Sequence, residues 1–81
     1  MDTETKIRIR ELAESLDCLV EDDLELLAGV KASTSEAWRK RGTGPAFVRL
    51  GNTFLYPRSA LRAFLADQVR APRNGSAKDT L

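Results

Sequence analysis

The chain has no histidine, one cysteine, one methionine, one tryptophan and one tyrosine, and aromatic residues make up 6% of its 81 residues. Each scarcity excludes something. Cys18 alone forms no intrachain disulfide, and one cysteine without histidine makes no zinc site. No nucleophile–base pair, metal-ligand cluster or phosphate-cradling glycine loop is visible, so neither enzymatic activity nor a cofactor is expected. The low cysteine content fits a reducing compartment, and a cytoplasmic location is the expectation. No apolar run approaches the length of a membrane span, and residues 1–20 are too charged for a signal peptide.

What is present fits one small domain, since 42% hydrophobic residues support a thin, well-packed core. The net charge of +1 hides an uneven distribution. Residues 1–36 hold four basic groups (Lys6, Arg8, Arg10, Lys31) against ten acidic ones, and residues 37–81 hold nine basic groups against Asp67 and Asp79. An acidic half joined to a basic half implies a basic binding surface, with nucleic acid as the default partner.

Hydrophobic spacing predicts a mainly α-helical protein with a small two-stranded β-hairpin. A helix over 3–16 carries the stripe Ile9, Leu12, Ala13 and Leu16, with Thr3 as its cap. This stripe is expected to pack on the rest of the domain or on a partner, because an isolated helix of this length is marginal in water. Asp17 and Cys18 interrupt the pattern, Cys18 being read as a small, at least half-buried residue. A second helix over 21–28 places Leu24, Leu27 and Ala28 inward and Glu21, Asp22 and Asp23 in its first turn, where the helix dipole favours negative charge. Gly29 closes it through a left-handed backbone.

A third helix spans 32–41, with Ser33 and Glu36 at capping-box spacing. Val30, Thr34, Trp38 and Arg41 fall on one side, and Ser33, Glu36, Arg39 and Lys40 fall toward the other. Trp38 is expected near the centre of the fold, touching both the 21–28 helix and the hairpin. Gly42-Thr43-Gly44-Pro45 ends the helix. Ala46–Leu50 and Thr53–Tyr56 then form a hairpin about Gly51-Asn52. A two-residue loop puts Val48 and Leu50 on the opposite face from Phe54 and Tyr56. A three-residue loop puts all four on one face with Arg49 outside, and it is preferred because it gives one apolar face to bury. Ser59 caps a last helix over 59–70 with Leu61, Phe64, Leu65 and Gln68 inward. Residues 71–81 lack periodicity and read as a disordered tail.

Two short helices joined by a glycine turn suggest a helix-turn-helix, and the hairpin and helix that follow add to that pattern. Residues 19–65 resemble the MerR-like winged helix-turn-helix family of phage and mobile-element excisionases and AlpA-like regulators. The likeness rests on Leu19, Leu27, Gly29-Val30, Thr34, Trp38, Gly42-Thr43-Gly44-Pro45, Arg49, Gly51, Phe54, Tyr56, Arg58-Ser59, Leu61 and Leu65 at ordered spacing. Lys31 stands at the usual serine cap, Leu55 replaces an outward-facing basic residue of the wing, and Phe64 replaces a tryptophan. On this resemblance the chain divides into an N-terminal amphipathic helix (1–18), a winged helix-turn-helix domain (19–70) and the tail (71–81). It implies a recognition helix at 32–41 in the major groove and a wing near 49–55 over the neighbouring backbone. Ser33, Ser35, Glu36, Arg39, Lys40, Arg41, Arg49, Asn52, Thr53 and Arg58 become the candidate DNA-binding residues. The implied partner is double-stranded DNA, with cooperative homo-oligomer assembly on repeated sites and an integrase or a transcriptional activator as protein partner. The implied role is excision or transcriptional control of a mobile element.

Single residues keep simpler readings. Glu36 is a capping carboxylate or a cytosine reader, and Asn52 is a turn former. The alternative function is a winged-helix protein-binding module, an antiactivator or adaptor. The low net charge, the acidic first half, Glu36, an outward Leu55 and the extra amphipathic helix at 3–16 point that way, and Glu21, Asp22 and Asp23 offer an acidic docking patch for a basic partner.

Overall fold

The computed structural model describes residues 2–70, and the expected tail at 71–81 lies outside the described residues. The elements run α1 (Thr3–Ser15), β1 (Cys18–Val20), α2 (Glu21–Ala28), α3 (Ala32–Arg41), β2 (Val48–Leu50), β3 (Thr53–Pro57) and α4 (Arg58–Gln68). The protein is mainly helical with one small antiparallel sheet. That sheet has three strands in the order β1-β3-β2, one more than the sequence predicts.

β1 arises at the expected interruption after α1. Asp17 takes a left-handed backbone (φ 60°) and releases Cys18-Leu19-Val20 as an extended run. Its partner lies far along the chain: Cys18 pairs with Pro57, Leu19 with Tyr56 and Val20 with Leu55. The hairpin closes through a two-residue loop, with Leu50 opposite Thr53 and Val48 opposite Leu55. Gly51 at φ 61° occupies the first turn position, the geometry of a II′ turn. The three-residue loop is therefore corrected, and the physical reason lies in what covers the sheet.

Both faces of the sheet carry apolar residues, and each is packed over β1 and β3 while β2 stays exposed. On one face Val20 and Leu55 join Ala13 of α1, with Ile9 and Cys18 packed around them. On the other, Tyr56 joins Leu24 of α2 and Leu61 of α4, flanked by Leu19 and Phe54. Phe47 extends this second face, its ring 5.8 Å from Phe54 and edge-on to it. A sheet packed on both sides has no reason to collect its apolar residues on one side. Leu55, expected to point outward, is only 7% exposed and forms the centre of the first face. The N-terminal helix packs on the sheet through Ala13, while Leu12 and Leu16 of its stripe stay exposed.

The helix boundaries match the sequence reading to within a few residues, but their caps and inner faces differ. Asp2, not Thr3, caps α1, its carboxylate accepting from the Thr5 N–H at 2.7 Å. Lys31 precedes α3 without a side-chain cap, so Ser33 and Glu36 form no capping box. Pro57 precedes α4, which places Ser59 inside the helix rather than at its start. α2 meets the core through Leu24 alone; Leu27 is 71% exposed and Ala28 is exposed. α4 does so through Leu61, with Phe64 half-buried and Leu65 and Gln68 exposed. Trp38 is half-buried beside Gly44 and lies outside both core clusters; the buried residue of α3 is Ser35.

Candidate nucleic-acid interface

α2 and α3 pack on each other across a three-residue connection. Gly29 enters that connection at φ 71°, its N–H donating to the Glu25 carbonyl at 2.8 Å. A side chain rarely adopts this backbone, which explains a glycine where one helix must stop and the next begin at once. Gly42 ends α3 the same way at φ 70°. Arg39, Lys40 and Arg41 occupy the last turn of α3, where cations complement the carboxyl end of the helix dipole.

The ten candidate residues divide by orientation. Ser33, Glu36, Lys40 and Arg41 are exposed on α3. Lys40 holds an ion pair with Glu36 at 3.0 Å, one turn apart along the helix. Such exposed pairs contribute little to stability, so the Lys40 ammonium remains available to another anion. Arg49 and Asn52 are exposed on the hairpin and Thr53 is half-buried there. The Arg49 Nε donates to the Gly51 carbonyl at 3.0 Å, folding its side chain across the hairpin end. Arg58 pairs with Asp17 at 3.5 Å, and its backbone N–H donates to the Asp17 carbonyl at 2.9 Å. This residue ties the start of α4 to the end of α1.

Ser35 and Arg39 belong to the interior and not to the outward face. Ser35 is 1% exposed; its hydroxyl donates to the Glu25 carboxylate, with Glu21 Oε2 at 3.3 Å and the Ala32 carbonyl at 3.0 Å as further neighbours. The Arg39 side chain is 14% exposed and pairs with Glu21. Its guanidinium lies 3.8 Å over the Phe54 ring, a stacked cation–π contact. The Tyr56 hydroxyl completes the group, 3.5 Å from Glu21 Oε2. Burial pushes the Tyr56 phenol above its usual 10.0, with nearby Arg39 opposing the shift and Glu25 adding to it.

Sequence reasoning missed this polar cluster because helix phase decides it. Positions 35 and 39 are one turn apart on α3, and Glu21 and Glu25 have the same spacing on α2. Two carboxylates spaced like a Ser/Arg pair on the following helix were the available signal. The acidic patch is likewise turned to internal use: Asp22 pairs with Lys6 at 3.6 Å, Asp23 with Arg10 at 3.0 Å and Glu21 with Arg39. The acidic first turn of α2 thus meets cations from α1 and α3.

Apolar side chains also reach the surface. Leu12 and Leu16 of α1, with Leu50 of the hairpin, line a shallow groove of about 170 Å³ beside Leu55. Among the described residues no helix is long and apolar enough to cross a membrane. No group of histidine, cysteine and acidic side chains among them is arranged to hold a metal ion. Compared with known proteins, the chain matches no family model, no curated protein and no solved structure.

Proposed function

We propose that this protein is a winged helix-turn-helix DNA-binding accessory, acting as an excisionase or a transcriptional regulator of a mobile element. In this reading α2 and α3 are the helix-turn-helix, α3 enters the major groove, and the β2–β3 hairpin is the wing on the adjacent backbone. The observation that carries it is the three-residue connection through left-handed Gly29, which leads into a helix with an exposed Ser33, Glu36, Lys40, Arg41 face and is followed by a hairpin presenting Arg49. Lys40, Arg41 and Arg49 neutralise phosphates, and Ser33 and Glu36 face base edges. Ser35 and Arg39 support α3 from within.

A shift assay on DNA upstream of the protein's own gene tests this. Three phosphate contacts predict a log–log salt slope of about −3. Lys40→Ala with Arg41→Ala should abolish the specific shift and leave the fold intact, since both side chains are exposed. A folded protein that binds no upstream or attachment-site DNA at low salt refutes the proposal. One observation favours a second reading, a protein-binding module of the adaptor or antiactivator kind: the apolar groove between α1 and the hairpin. On that reading Leu12→Asp or Leu50→Asp disrupts a protein complex and DNA binding is absent.

A further inference from the structure

α3 has little apolar surface with which to hold its place. Among the described residues Ser35 is its one buried side chain, and its sequence, ASTSEAWRKR, contains one large hydrophobe, the half-buried Trp38. A helix without an apolar seam can roll about its axis, and a roll changes which side chains face outward. Here the inward face is polar. Ser35 and Arg39 project toward Glu25 and Glu21 of α2, and the Arg39 guanidinium sits 3.8 Å over the Phe54 ring of β3. The Tyr56 hydroxyl meets the same Glu21 oxygen from the sheet. Arg39 therefore touches α2 and β3 at once.

We propose that Arg39 is a positioning residue, and that the Glu21–Arg39–Phe54 stack sets the roll of α3 and hence the specificity of its outward face. The inference rests on the DNA-binding reading for its consequence but on the geometry of the free protein for its mechanism. The planar guanidinium suits the role because it can pair with a carboxylate through its edge while stacking through its face. Ser33, Lys40 and Arg41 lie on the opposite half of the helix from the Ser35–Arg39 line, with Glu36 between the two faces, so a fixed inner face dictates the outer one.

Two variants test it, Arg39→Gln and Glu21→Gln, read by amide exchange across residues 32–41 of the free protein and by DNA affinity over a range of salt. Both should remain folded and exchange α3 amides about tenfold faster relative to α1, as expected of a locally loosened element. Both should lose about tenfold in the ratio of specific to non-specific affinity, the scale of one lost base discrimination. Neither should alter the salt slope, because neither side chain meets a phosphate. If Arg39 is a direct contact, Arg39→Gln makes the slope shallower by about 0.9 with α3 exchange unchanged, and Glu21→Gln leaves the specificity ratio intact; either result overturns the proposal. Should Arg39→Gln fail to fold, Glu21→Gln decides alone. Should the wild-type protein bind no DNA, the DNA-binding reading fails separately, and α3 exchange in Glu21→Gln still judges the stack: unchanged exchange refutes it.

Discussion

Leu55→Ala is the sharpest test of the sheet. Leu55 sits on the central strand, between Val20 on one neighbour and Val48 on the other, beneath Ala13 of α1. Truncating a buried leucine to alanine costs about 2–5 kcal/mol, the spread reflecting how far the site relaxes. Here one side of the site borders the open groove lined by Leu12, Leu16 and Leu50, so water and flexible side chains can occupy part of the space. The lower end applies, about 2–3 kcal/mol, which in a domain of this size lowers the melting temperature by roughly 10–20 °C. Leu50→Ala is the control. Leu50 is 62% exposed, and its truncation should stay within about 0.5 kcal/mol of wild type. Thermal and urea unfolding followed by circular dichroism measures both. The alternative three-residue hairpin loop reverses the order, because it turns Leu55 outward and buries Leu50. A Leu55→Ala protein that melts with wild type, beside a destabilised Leu50→Ala, would refute the register and the two-faced core together.

Other outcomes follow from single sites. Tyr56 is the one tyrosine, and its phenol is held above 10.0 by burial, so its ultraviolet titration in the folded protein should run above that of the unfolded chain. The unfolded chain loses this proton first; stability therefore falls as pH rises past about 10, and Tyr56→Phe should remove that part of the fall. A Cβ built at Gly44 lies 2.9 Å from the Cβ of Trp38, the one tryptophan, so Gly44→Ala should displace the indole and shift its fluorescence maximum. Gly51→Ala forces a side chain onto φ 61°, and should cost about 1 kcal/mol or more in urea unfolding without moving the Trp38 spectrum.

The helices were legible because periodicity and glycine stops are local signals. Gly29 and Gly42 end α2 and α3 where the sequence places them, and both take the left-handed backbone expected of such positions. β1 was not legible, because three residues between two helices carry no periodicity, and Cys18-Leu19-Val20 becomes a strand only by pairing with residues 55–57. The hairpin register depended on the same missing fact. Assuming one covered face led to grouping Val48 and Leu50 with Phe54 and Tyr56, whereas α1 and the α2/α4 pair divide the apolar residues between two faces. The inward faces of α2 and α4 were overdrawn, since short helices seated on a small sheet bury one leucine each, Leu24 and Leu61. Within the candidate site, the exposed Lys40, Arg41 and Arg49 were readable as basic residues on a helix end and a hairpin. The inward turn of Arg39 was not, because a guanidinium set between a half-buried carboxylate and an aromatic face leaves no hydrophobic trace in the sequence.

The pairing of β1 with β3 bears on how the chain reaches this structure. A mainly helical protein ordinarily folds through local contacts and does so quickly. Here the ladder from Cys18–Pro57 to Val20–Leu55, reinforced by the Asp17–Arg58 contacts, clasps the two ends of the segment that contains α2, α3 and the hairpin. The loop must close before either side of the core is complete, and closure entropy is spent before those contacts reward it. The hairpin can form early and alone; β1 can only join it. Folding should therefore be governed by one long-range docking event, and the segment holding α2, α3 and the hairpin is no detachable module. Cut between α1 and β1, or after the hairpin, the chain loses part of the core, and the segment in between loses the frame that orients it.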